Sequence, residues 1–459
     1  MMFRAGMIWL IAHAGLTTEA LADVERSPFP RARVPTVSVQ HQAPAPREAL
    51  GALAPHTSLR PVARPVRLAA ARPVAADAPQ TTTVQPPRDA DFARWLQGFR
   101  GRALGHGIRA SVFDRAFDGV RPDREVLARE ANQPEFNRPI WEYLDSAVSA
   151  TRIENGQRML REHRRVLDEI EARYGVEREV IVAVWGLESA YGRLRGTTPL
   201  LPALTALAMG SRRAGFYEDQ LIGALRILQA GDVDARHLVG SWAGAMGHTQ
   251  FIPTSYLAYA VDFRDDGRRD IWSDDPTDSL ASTAAYLARH GWERGQPWGV
   301  EVRLPRGFNP RLANTRRPVQ DWRAQGIEPV RGASLPRTGE ATLLFPAGSR
   351  GPALLVFQNF RVIKRYNNAD AYAIAIGHLA DRLRGAGGFQ GEWPRGDRPL
   401  NRAEREELQR LLARAGHYGG AIDGRIGQGT MAGVRDWQAA NGLPPDGYVS
   451  LALLQAMRR

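Results

Sequence analysis

Hydrophobic positions recur every three to four residues over much of the chain. The spacing is clear in residues 91–108, where Phe, Trp and Leu alternate with polar side chains, and it returns in residues 156–176 and 369–385. This period places apolar side chains on one face of an α-helix. The pattern therefore predicts a mainly α-helical fold.

The pattern changes after about Gly299. Three short segments there, VEVRLP, ATLLFP and ALLVFQNFRVIKRY, are rich in β-branched and aromatic residues and are separated by Pro and Gly. Such segments are typical of strands joined by turns. We expect a small β-rich insertion over about residues 300–360, which makes the fold class α+β with helices dominant.

The N-terminus has the pattern of a secretory signal peptide. Arg4 precedes an apolar run over residues 5–16, and the small residues Ala20 and Ala22 stand where a signal peptidase would cleave. The run is too short to span a bilayer. We expect cleavage after Ala22 and an exported product without a transmembrane anchor. A buried N-terminal helix is the alternative.

Two boundaries divide the rest of the chain. Residues 23–88 repeat Pro, Ala and Arg without a helical or alternating period, which predicts a disordered tether. A Gly- and Pro-rich stretch then separates a large region, residues 89–387, from a tail over residues 397–459. The tail contains the helix candidates RAEREELQRLLARAG and GTMAGVRDWQAAN. We expect it to form an appended helical module.

Composition excludes several classes of site and partner. The 459 residues contain no cysteine, which removes disulfides, thiolate metal sites and thiol nucleophiles. The formal net charge of +12 is compatible with an anionic partner. However, Lys364 is the only lysine, and the arginines are scattered through every region. Nucleic-acid-binding faces carry clustered basic residues interleaved with aromatics, so no nucleic-acid partner is expected.

The first candidate for chemistry is Glu188. It follows eight uncharged residues in the stretch VIVAVWGLESAYGR, residues 180–193. A continuous apolar run predicts a helix buried on all sides up to Glu188, with Gly192 as its stop signal. Burial raises the pKa of a carboxyl group, which suits it to act as a general acid. The alternative is a structural Glu paired with Arg193, Arg195 or another basic side chain.

The second candidate is a glycine-rich stretch, GSWAGAMGHTQFIPTSY, over residues 240–256. Small residues allow the close approach of a backbone or a ligand. The polar residues between them, such as Ser241, His248 and Gln250, can hydrogen-bond a neutral ligand rich in hydroxyl groups. The stretch indicates either a sugar groove or tight helix packing, which requires the same glycines.

The third candidate is an acidic stretch that partly follows the pattern of a calcium loop. Asp262, Asp266 and Asp270 fall at positions 1, 5 and 9 of that pattern. Arg264 stands at position 3 and Ser273 at position 12, where oxygen ligands are expected. The stretch is therefore either a calcium loop or an acidic turn paired with local arginines. The candidate ligands are Asp262, Asp266, Asp270 and Asp278.

The fourth candidate is KRYNNADAY, at the return to helical spacing, which contains Tyr366, Asn367 and Tyr372. Tyrosine rings pack on apolar surfaces and amide groups hydrogen-bond hydroxyls. Asparagine is also a good helix N-cap. This stretch predicts either part of a carbohydrate site or the cap of the following helix.

Together these stretches resemble one family, the B-type lytic murein transglycosylases. The resemblance covers about residues 91–385 and rests on FARWLQGFR, QPEFNRPIWEYLDSAV, VWGLESAYGR, GSWAGAMGHTQFIPTSY, DGRRDIW, YLARHGW and YNNADAYA. The tail is similar to the peptidoglycan-binding domain 1 family, through LQRLLARAGHYGGAIDGRIGQGT and VRDWQAANGLPPDG. The resemblance implies a lysozyme-like helical catalytic domain followed by a small three-helix module.

The resemblance also assigns roles to individual positions. It implies that Glu188 is the catalytic acid. The substrate contacts that it implies are Ser241, Gln250, Tyr286, Tyr366, Asn367, Tyr372 and Tyr143. It implies no cofactor apart from calcium at the acidic loop, where this chain departs from the family at Arg264.

Members of this family are exported bacterial enzymes that cleave peptidoglycan glycan strands. The resemblance implies that this chain is a periplasmic monomer that breaks the β-1,4 bond between MurNAc and GlcNAc without water and leaves 1,6-anhydroMurNAc ends. Two alternatives stay open. A hydrolytic muramidase would use the same acid but add water, and a non-catalytic cell-wall-binding scaffold would need only the tail and the groove.

Overall fold

The computed structural model describes residues 89–131 and 138–459. The predicted signal peptide, its cleavage after Ala22 and the tether over residues 23–88 lie outside the described residues. Within the two described ranges, no helix is both long and apolar enough to cross a membrane.

Helices build most of the region that precedes the tail. Their apolar faces meet in one continuous core, to which α1, α7, α8, α9 and α14 contribute fully buried side chains. The helices are α1 (Asp89–Gly105), α2 (Ala110–Phe117), α3 (Arg124–Ala131), α4 (Ile140–Ala147), α5 (Ala150–Glu162), α6 (Arg164–Tyr174), α7 (Arg178–Ser189), α8 (Leu200–Gly210), α9 (Ala214–Ala230), α10 (Pro253–Tyr259), α11 (Thr277–Arg289), α12 (Val319–Ala324), α13 (Gln358–Tyr366) and α14 (Asp370–Leu383).

A small sheet interrupts the helices where the change of pattern predicts it. It is antiparallel throughout, with the strand order β4-β6-β7-β3-β5, and its register places Val300 opposite Leu355. The strands are β3 (Gly299–Arg303), β4 (Arg316–Pro318), β5 (Glu328–Pro329), β6 (Glu340–Leu344) and β7 (Ala353–Val356); β1 (Thr198–Pro199) and β2 (Val239–Gly240) form a separate pair. The predicted fold class, mainly helical with a minor β part, is confirmed.

One part of the strand prediction is wrong. The segment ALLVFQNFRVIKRY is a strand only as far as Val356, and its second half is helix α13. Phe360 and Ile363 are buried three positions apart, together with Asn359 and Val362, so the buried positions form a helical stripe. The helix ends at Tyr366 and directs the chain toward α14.

The tail folds around its own small core. Its helices are α15 (Arg402–Arg414), α16 (Gln428–Ala440) and α17 (Leu451–Met457). Leu408, Leu412 and Leu454 are buried at their contact. Asn401 and Glu404 form a capping box at the start of α15, which satisfies two of the free amides at that helix end.

Helix α7 has a central place in the molecule. Val180 to Gly186 are all buried, and the helix packs against α5, α6, α11 and α14. A helix that is enclosed on every side needs no polar face, which accounts for the continuous apolar run. Its last turn meets the first turn of α14 at Tyr372, and this meeting point is where Glu188 lies.

Candidate active site

Glu188 is the penultimate residue of α7, and the chain reverses directly after it. The helix ends at Ser189, three residues before the predicted stop at Gly192. Ala190 and Tyr191 adopt left-handed backbone angles, with φ of 51° and 61°, which non-glycine residues rarely adopt. The hydroxyl of Tyr191 donates a hydrogen bond of 2.7 Å to the carbonyl of Arg152 and holds the turn in place.

The environment of the Glu188 carboxyl group favours its protonated form. Burial raises its pKa to about 7, and a hydrogen bond of 2.5 Å from the Tyr372 hydroxyl opposes that rise. Among the described residues no basic side chain forms an ion pair with Glu188, and Arg195 pairs instead with Asp274. The alternative of a structural Glu paired with Arg195 is therefore wrong. A carboxyl group in this state can donate a proton near neutral pH.

Three tyrosines surround the carboxyl group. The pKa values of Tyr372, Tyr366 and Tyr143 are all raised well above the ordinary value, mainly by burial and next by the negative charge of Glu188. Their hydroxyl groups therefore stay protonated, and those of Tyr372 and Tyr366 donate hydrogen bonds, to Glu188 and to the carbonyl of Thr249. The structure thus brings Glu188 together with three of the predicted substrate contacts.

Gln250 lies on the loop that supports Tyr366. The hydroxyl of Tyr366 donates to the carbonyl of Thr249, the residue before Gln250. The Gln250 amide donates to the carbonyls of Arg195 at 2.9 Å and Gly247 at 2.7 Å. Its side-chain oxygen is buried and accepts no hydrogen bond from any described residue. That oxygen is an acceptor suited to an N–H or O–H group of a ligand.

Ser241 has a structural partner. Its side chain is 4% exposed, and its hydroxyl accepts a hydrogen bond of 3.0 Å from the amide of Ala245. The nearby glycines are required by close packing: a Cβ on Gly240 would lie 2.2 Å from the carbonyl of Ala245, and one on Gly247 would lie 2.3 Å from that of Ile271. Tight packing therefore explains these glycines without a ligand.

Tyr286 packs against one member of the tyrosine group, and Asn367 directly follows that member, Tyr366, in the chain. Tyr286 is 8% exposed, its hydroxyl donates to the carbonyl of Arg365, and its ring lies 5.0 Å from that of Tyr366. Asn367 ends helix α13. The N-cap of α14 is Ala369, without a side-chain hydrogen bond, so the alternative in which an asparagine caps that helix is wrong.

The structure also shows a contact that the sequence pattern did not reveal. His248 was grouped with the ligand-binding polar residues of its stretch, but it is 3% exposed and bonded to the protein. Its partner Trp185 lies in the apolar run of α7, where an indole N–H needs a buried acceptor. The sequence signal for this contact is Trp185 itself, because a tryptophan in a fully enclosed helix requires a buried hydrogen-bond acceptor.

The acidic stretch does not fit a calcium ion. Both oxygens of Asp262 accept backbone amides, from Asp266 and Gly267, and the third position holds Arg264, which pairs with Glu169 on α6. No group of three acidic or histidine side chains among the described residues is arranged to hold a metal. The loop is therefore an acidic turn held by backbone amides and an arginine.

Two regions of the chain match known protein families. Residues 91–381 match the transglycosylase SLT domain. The chain belongs to this family. Residues 401–457 match a peptidoglycan binding domain. The protein is thus a lytic murein transglycosylase that acts on peptidoglycan.

Individual relatives of this transglycosylase cover much of its length. Membrane-bound lytic murein transglycosylase B of Escherichia coli (strain K12) is 32% identical over 269 residues, 57% of this chain and 72% of the relative. The crystal structure of SltB3 from Pseudomonas aeruginosa, in complex with NAG-anhNAM-pentapeptide, is 50% identical with a TM-score of 0.76, and the match covers 80% of this chain and 99% of SltB3.

A third relative bears on the acidic loop. Escherichia coli Slt35, solved in complex with calcium, is 29% identical with a TM-score of 0.57, and the match covers 67% of this chain and 98% of Slt35. Calcium thus accompanies one member of the transglycosylase family, whereas the residues of the loop in this chain do not fit the ion.

Proposed function

We propose that Glu188 is the single acid and base of the transglycosylase and that it acts on the β-1,4 bond between MurNAc and GlcNAc. The observation that carries the proposal is the state of its carboxyl group. Its pKa is raised to about 7, and the one polar contact acting on that pKa is the Tyr372 hydroxyl. An acid that also serves as a base works best with a pKa near the operating pH.

The surroundings of Glu188 favour attack by the substrate itself over attack by water. Most glycosidases place a second carboxylate about 5 to 9.5 Å from the acid, as nucleophile or as base for water. Glu188 forms a hydrogen bond with the Tyr372 hydroxyl and none with another carboxyl group among the described residues. The proposal is therefore a reaction with one carboxyl group, in which the substrate supplies the nucleophile.

The reaction balances with one carboxyl group. Protonated Glu188 donates its proton to the glycosidic oxygen while the bond from that oxygen to C1 of MurNAc breaks, and the substrate's own N-acetyl group stabilises the positive charge at C1. The Glu188 carboxylate then takes the proton of the C6 hydroxyl, whose oxygen bonds to C1. The product carries a 1,6-anhydro ring, Glu188 is again protonated, and no water is consumed.

The neighbouring groups have complementary tasks in this scheme. The Tyr372 hydroxyl stabilises the Glu188 carboxylate after proton transfer, since it already donates to one oxygen at 2.5 Å. The buried oxygen of Gln250 accepts a hydrogen bond from the sugar. Ser241 and Tyr286 hold the backbone near the site through their hydrogen bonds with the amide of Ala245 and the carbonyl of Arg365. No step uses a metal or a cofactor.

The experiment is to compare Glu188→Gln with Glu154→Gln on purified sacculi. Glu154 is an exposed glutamate on α5 and serves as the matched control. We expect Glu188→Gln to abolish the release of soluble fragments, Glu154→Gln to retain it, and both variants to keep the wild-type circular dichroism spectrum. Normal turnover by Glu188→Gln would end the proposal.

Mass spectrometry of the released fragments tests whether the bond is broken without water. The proposal predicts 1,6-anhydro ends. Fragments heavier by one water molecule would contradict it, because they would show hydrolysis.

We further propose that the protein is exported to the periplasm, with cleavage after Ala22. The support is the N-terminal sequence, in which an apolar run follows Arg4 and ends before Ala20 and Ala22, and the peptidoglycan that the family acts on lies outside the cytoplasm. N-terminal sequencing of the mature protein tests this: a first residue of Asp23 supports it, and a first residue of Met1 would refute it.

A further inference from the structure

His248 is buried and takes no part in the chemistry proposed above, yet it is bonded on both sides of its ring. The indole N–H of Trp185 donates to Nδ1 at 3.1 Å, and Nε2 lies 2.8 Å from the carbonyl of Ser273. An indole N–H can only donate, so Nδ1 is the acceptor and Nε2 carries the proton. The Arg195 guanidinium near Nε2 donates instead to the carbonyls of Trp272 and Ser273.

The backbone of His248 holds the same helix end at a second point. Ser189, the neighbour of Glu188, donates its hydroxyl hydrogen to the carbonyl of His248 at 2.5 Å and accepts the amide of Gly192 at 2.9 Å. Trp185 lies one helical turn before Glu188. The ring of His248 therefore binds α7 at Trp185, before Glu188, and the carbonyl of His248 binds it at Ser189, directly after Glu188.

The left-handed turn after Glu188 packs closely against the same ring, that of His248. A Cβ on Gly192 would lie 2.4 Å from Nδ1 of His248, and the φ of Gly192 is 81°, so only glycine fits there without a shift of the ring. The helix end, the turn and the imidazole therefore form one packed unit.

The residues after His248 carry two further groups of the site. The carbonyl of Thr249 accepts the hydroxyl of Tyr366, and the amide of Gln250 donates to the carbonyl of Arg195. Gln250 has a φ of 59°, an unusual value for a non-glycine residue, so its placement depends on bonds of this kind. One short segment thus supports the acid helix, a tyrosine and the glutamine.

We propose that His248 is a positioning residue of the transglycosylase reaction: its neutral ring and its carbonyl fix the Glu188 carboxyl group relative to Gln250 and Tyr366. The inference rests on the proposed role of Glu188 as the acid. Displacing a catalytic group by about 1 Å costs on the order of 100-fold in rate, so a residue that sets this distance acts on turnover more than on substrate binding.

The ring keeps its accepting nitrogen at the pH at which the enzyme works. Burial lowers the pKa of His248 to about 4; the charges of Arg195 and His163 act in the same direction, and the Ser273 carbonyl and Asp274 oppose it. The ring is therefore neutral at neutral pH, and Trp185 keeps its acceptor.

The experiment compares His248→Leu and His248→Asn in the full chain, assayed on a soluble glycan substrate, with His378→Leu as control. His378, on α14, is another partly buried imidazole; its ring stacks on that of Phe389 and forms no hydrogen bond with α7 among the described residues. We expect His248→Leu to lower kcat by about 10- to 100-fold while KM changes less than about threefold. His248→Asn, whose side-chain oxygen can accept in place of Nδ1, is expected to recover most of the loss, and His378→Leu to retain wild-type kcat.

Trp185→Phe removes the N–H donor and keeps an aromatic ring, so it tests the same bond if His248→Leu does not fold. It should lower kcat with KM unchanged, and the double variant Trp185→Phe/His248→Asn should lose no more than Trp185→Phe alone. Wild-type kcat in folded Trp185→Phe, or a rise in KM at constant kcat in either variant, would overturn the proposal. Activity in Glu188→Gln would instead overturn the role of the acid.

Discussion

Two carboxyl groups of this molecule, Glu188 and Asp278, both have a pKa raised by burial, and they differ in their hydrogen-bond partners. Burial raises the pKa of Glu188 to about 7 and that of Asp278 to about 6. Asp278 accepts one backbone amide on each oxygen, from Phe263 at 2.9 Å and from Asp270 at 2.8 Å. Glu188 has a single tyrosine hydroxyl as its partner.

The difference shows what separates a reactive acid from a structural one. A carboxyl group whose two oxygens both accept backbone amides, as in Asp278, closes a loop, and both of its oxygens are already bound by the protein. Glu188 keeps one oxygen without a partner among the described residues, and its proton is available near neutral pH. A raised pKa is common to both groups, so the acid is identified by a raised pKa together with a carboxyl oxygen that has no partner among the described residues.

Substituting each group by its amide should give the largest contrast. Glu188→Gln removes the proton donor, and we expect a loss of about 10²- to 10⁴-fold in the rate of fragment release. Asp278→Asn should keep the rate per folded molecule within about threefold, since its loop does not touch the acid. Rates on sacculi, divided by the folded fraction, measure both. Equal losses in the two variants would break the comparison.

The second largest effect should be a dependence of the free energy of unfolding on pH that arises from Glu188. The folded state keeps the Glu188 proton up to about pH 7, whereas the unfolded chain loses it near 4.5, the ordinary pKa of a glutamate. Ionisation then favours the unfolded chain, so stability falls as pH rises from 4.5 to 7 and the loss persists above 7. At about 1.36 kcal/mol for each pKa unit, it reaches about 3 kcal/mol.

Glu188→Gln should lack this loss. Urea unfolding of the wild type and the variant at about pH 5 and about pH 8 measures it, with the variant gaining relative stability at the higher pH. If the free energies of unfolding of the wild type and the variant differ by the same amount at both pH values, the pKa of Glu188 is not raised in the folded state.

The sequence predicts the burial of Glu188 better than it predicts the partner of the Glu188 carboxyl group. The burial of Glu188 follows from the apolar run before it, because a helix without a polar face must be enclosed. Its partner Tyr372 lies 184 residues further along the chain. That contact depends on how α7 packs on α14, which no local pattern encodes, and only the resemblance to a family pointed to it.

Other features were beyond local patterns for similar reasons. Phe, Val and Ile occur in both strands and buried helix faces, so the helix at Gln358–Tyr366 was read as strand. The polar pattern around His248 is the same for a ligand-binding residue and for one that accepts a bond from Trp185. Only the packing of α7 separates those two readings.

Asp278→Asn should destabilise the fold by about 1 to 3 kcal/mol, because its amide group would present a donor to a backbone amide that now has an acceptor. Thermal unfolding checks this, with Asp265→Asn as control; Asp265 is exposed in the same loop, and asparagine tolerates its φ of 57°. An unchanged melting temperature for Asp278→Asn would show that the two amide bonds do not close the loop.

Tyr372→Phe should have a smaller and more specific effect. It removes the hydroxyl that opposes the rise in the pKa of Glu188, so that pKa should rise further. A hydrogen bond to a charged group contributes about 1.5 kcal/mol, which corresponds to about one pH unit. We expect the alkaline limb of kcat/KM to move upward by that amount. A limb that moves downward would contradict the assigned donor.

Calcium should have the smallest effect, namely none on the melting temperature of the wild type. A ligand that binds only the folded state stabilises it by about 2.7 kcal/mol at 100 times its Kd, so a calcium site would show clearly when millimolar calcium replaces a chelator. The third position of the loop, however, holds Arg264, which pairs with Glu169. Arg264→Asp places an oxygen there and should introduce a calcium-dependent rise that the wild type lacks. A calcium-dependent rise in the melting temperature of the wild type would mean that the loop rearranges around the ion. Its carboxylates would then be as free to bind a ligand as the Glu188 carboxyl group, in spite of their hydrogen bonds to backbone amides.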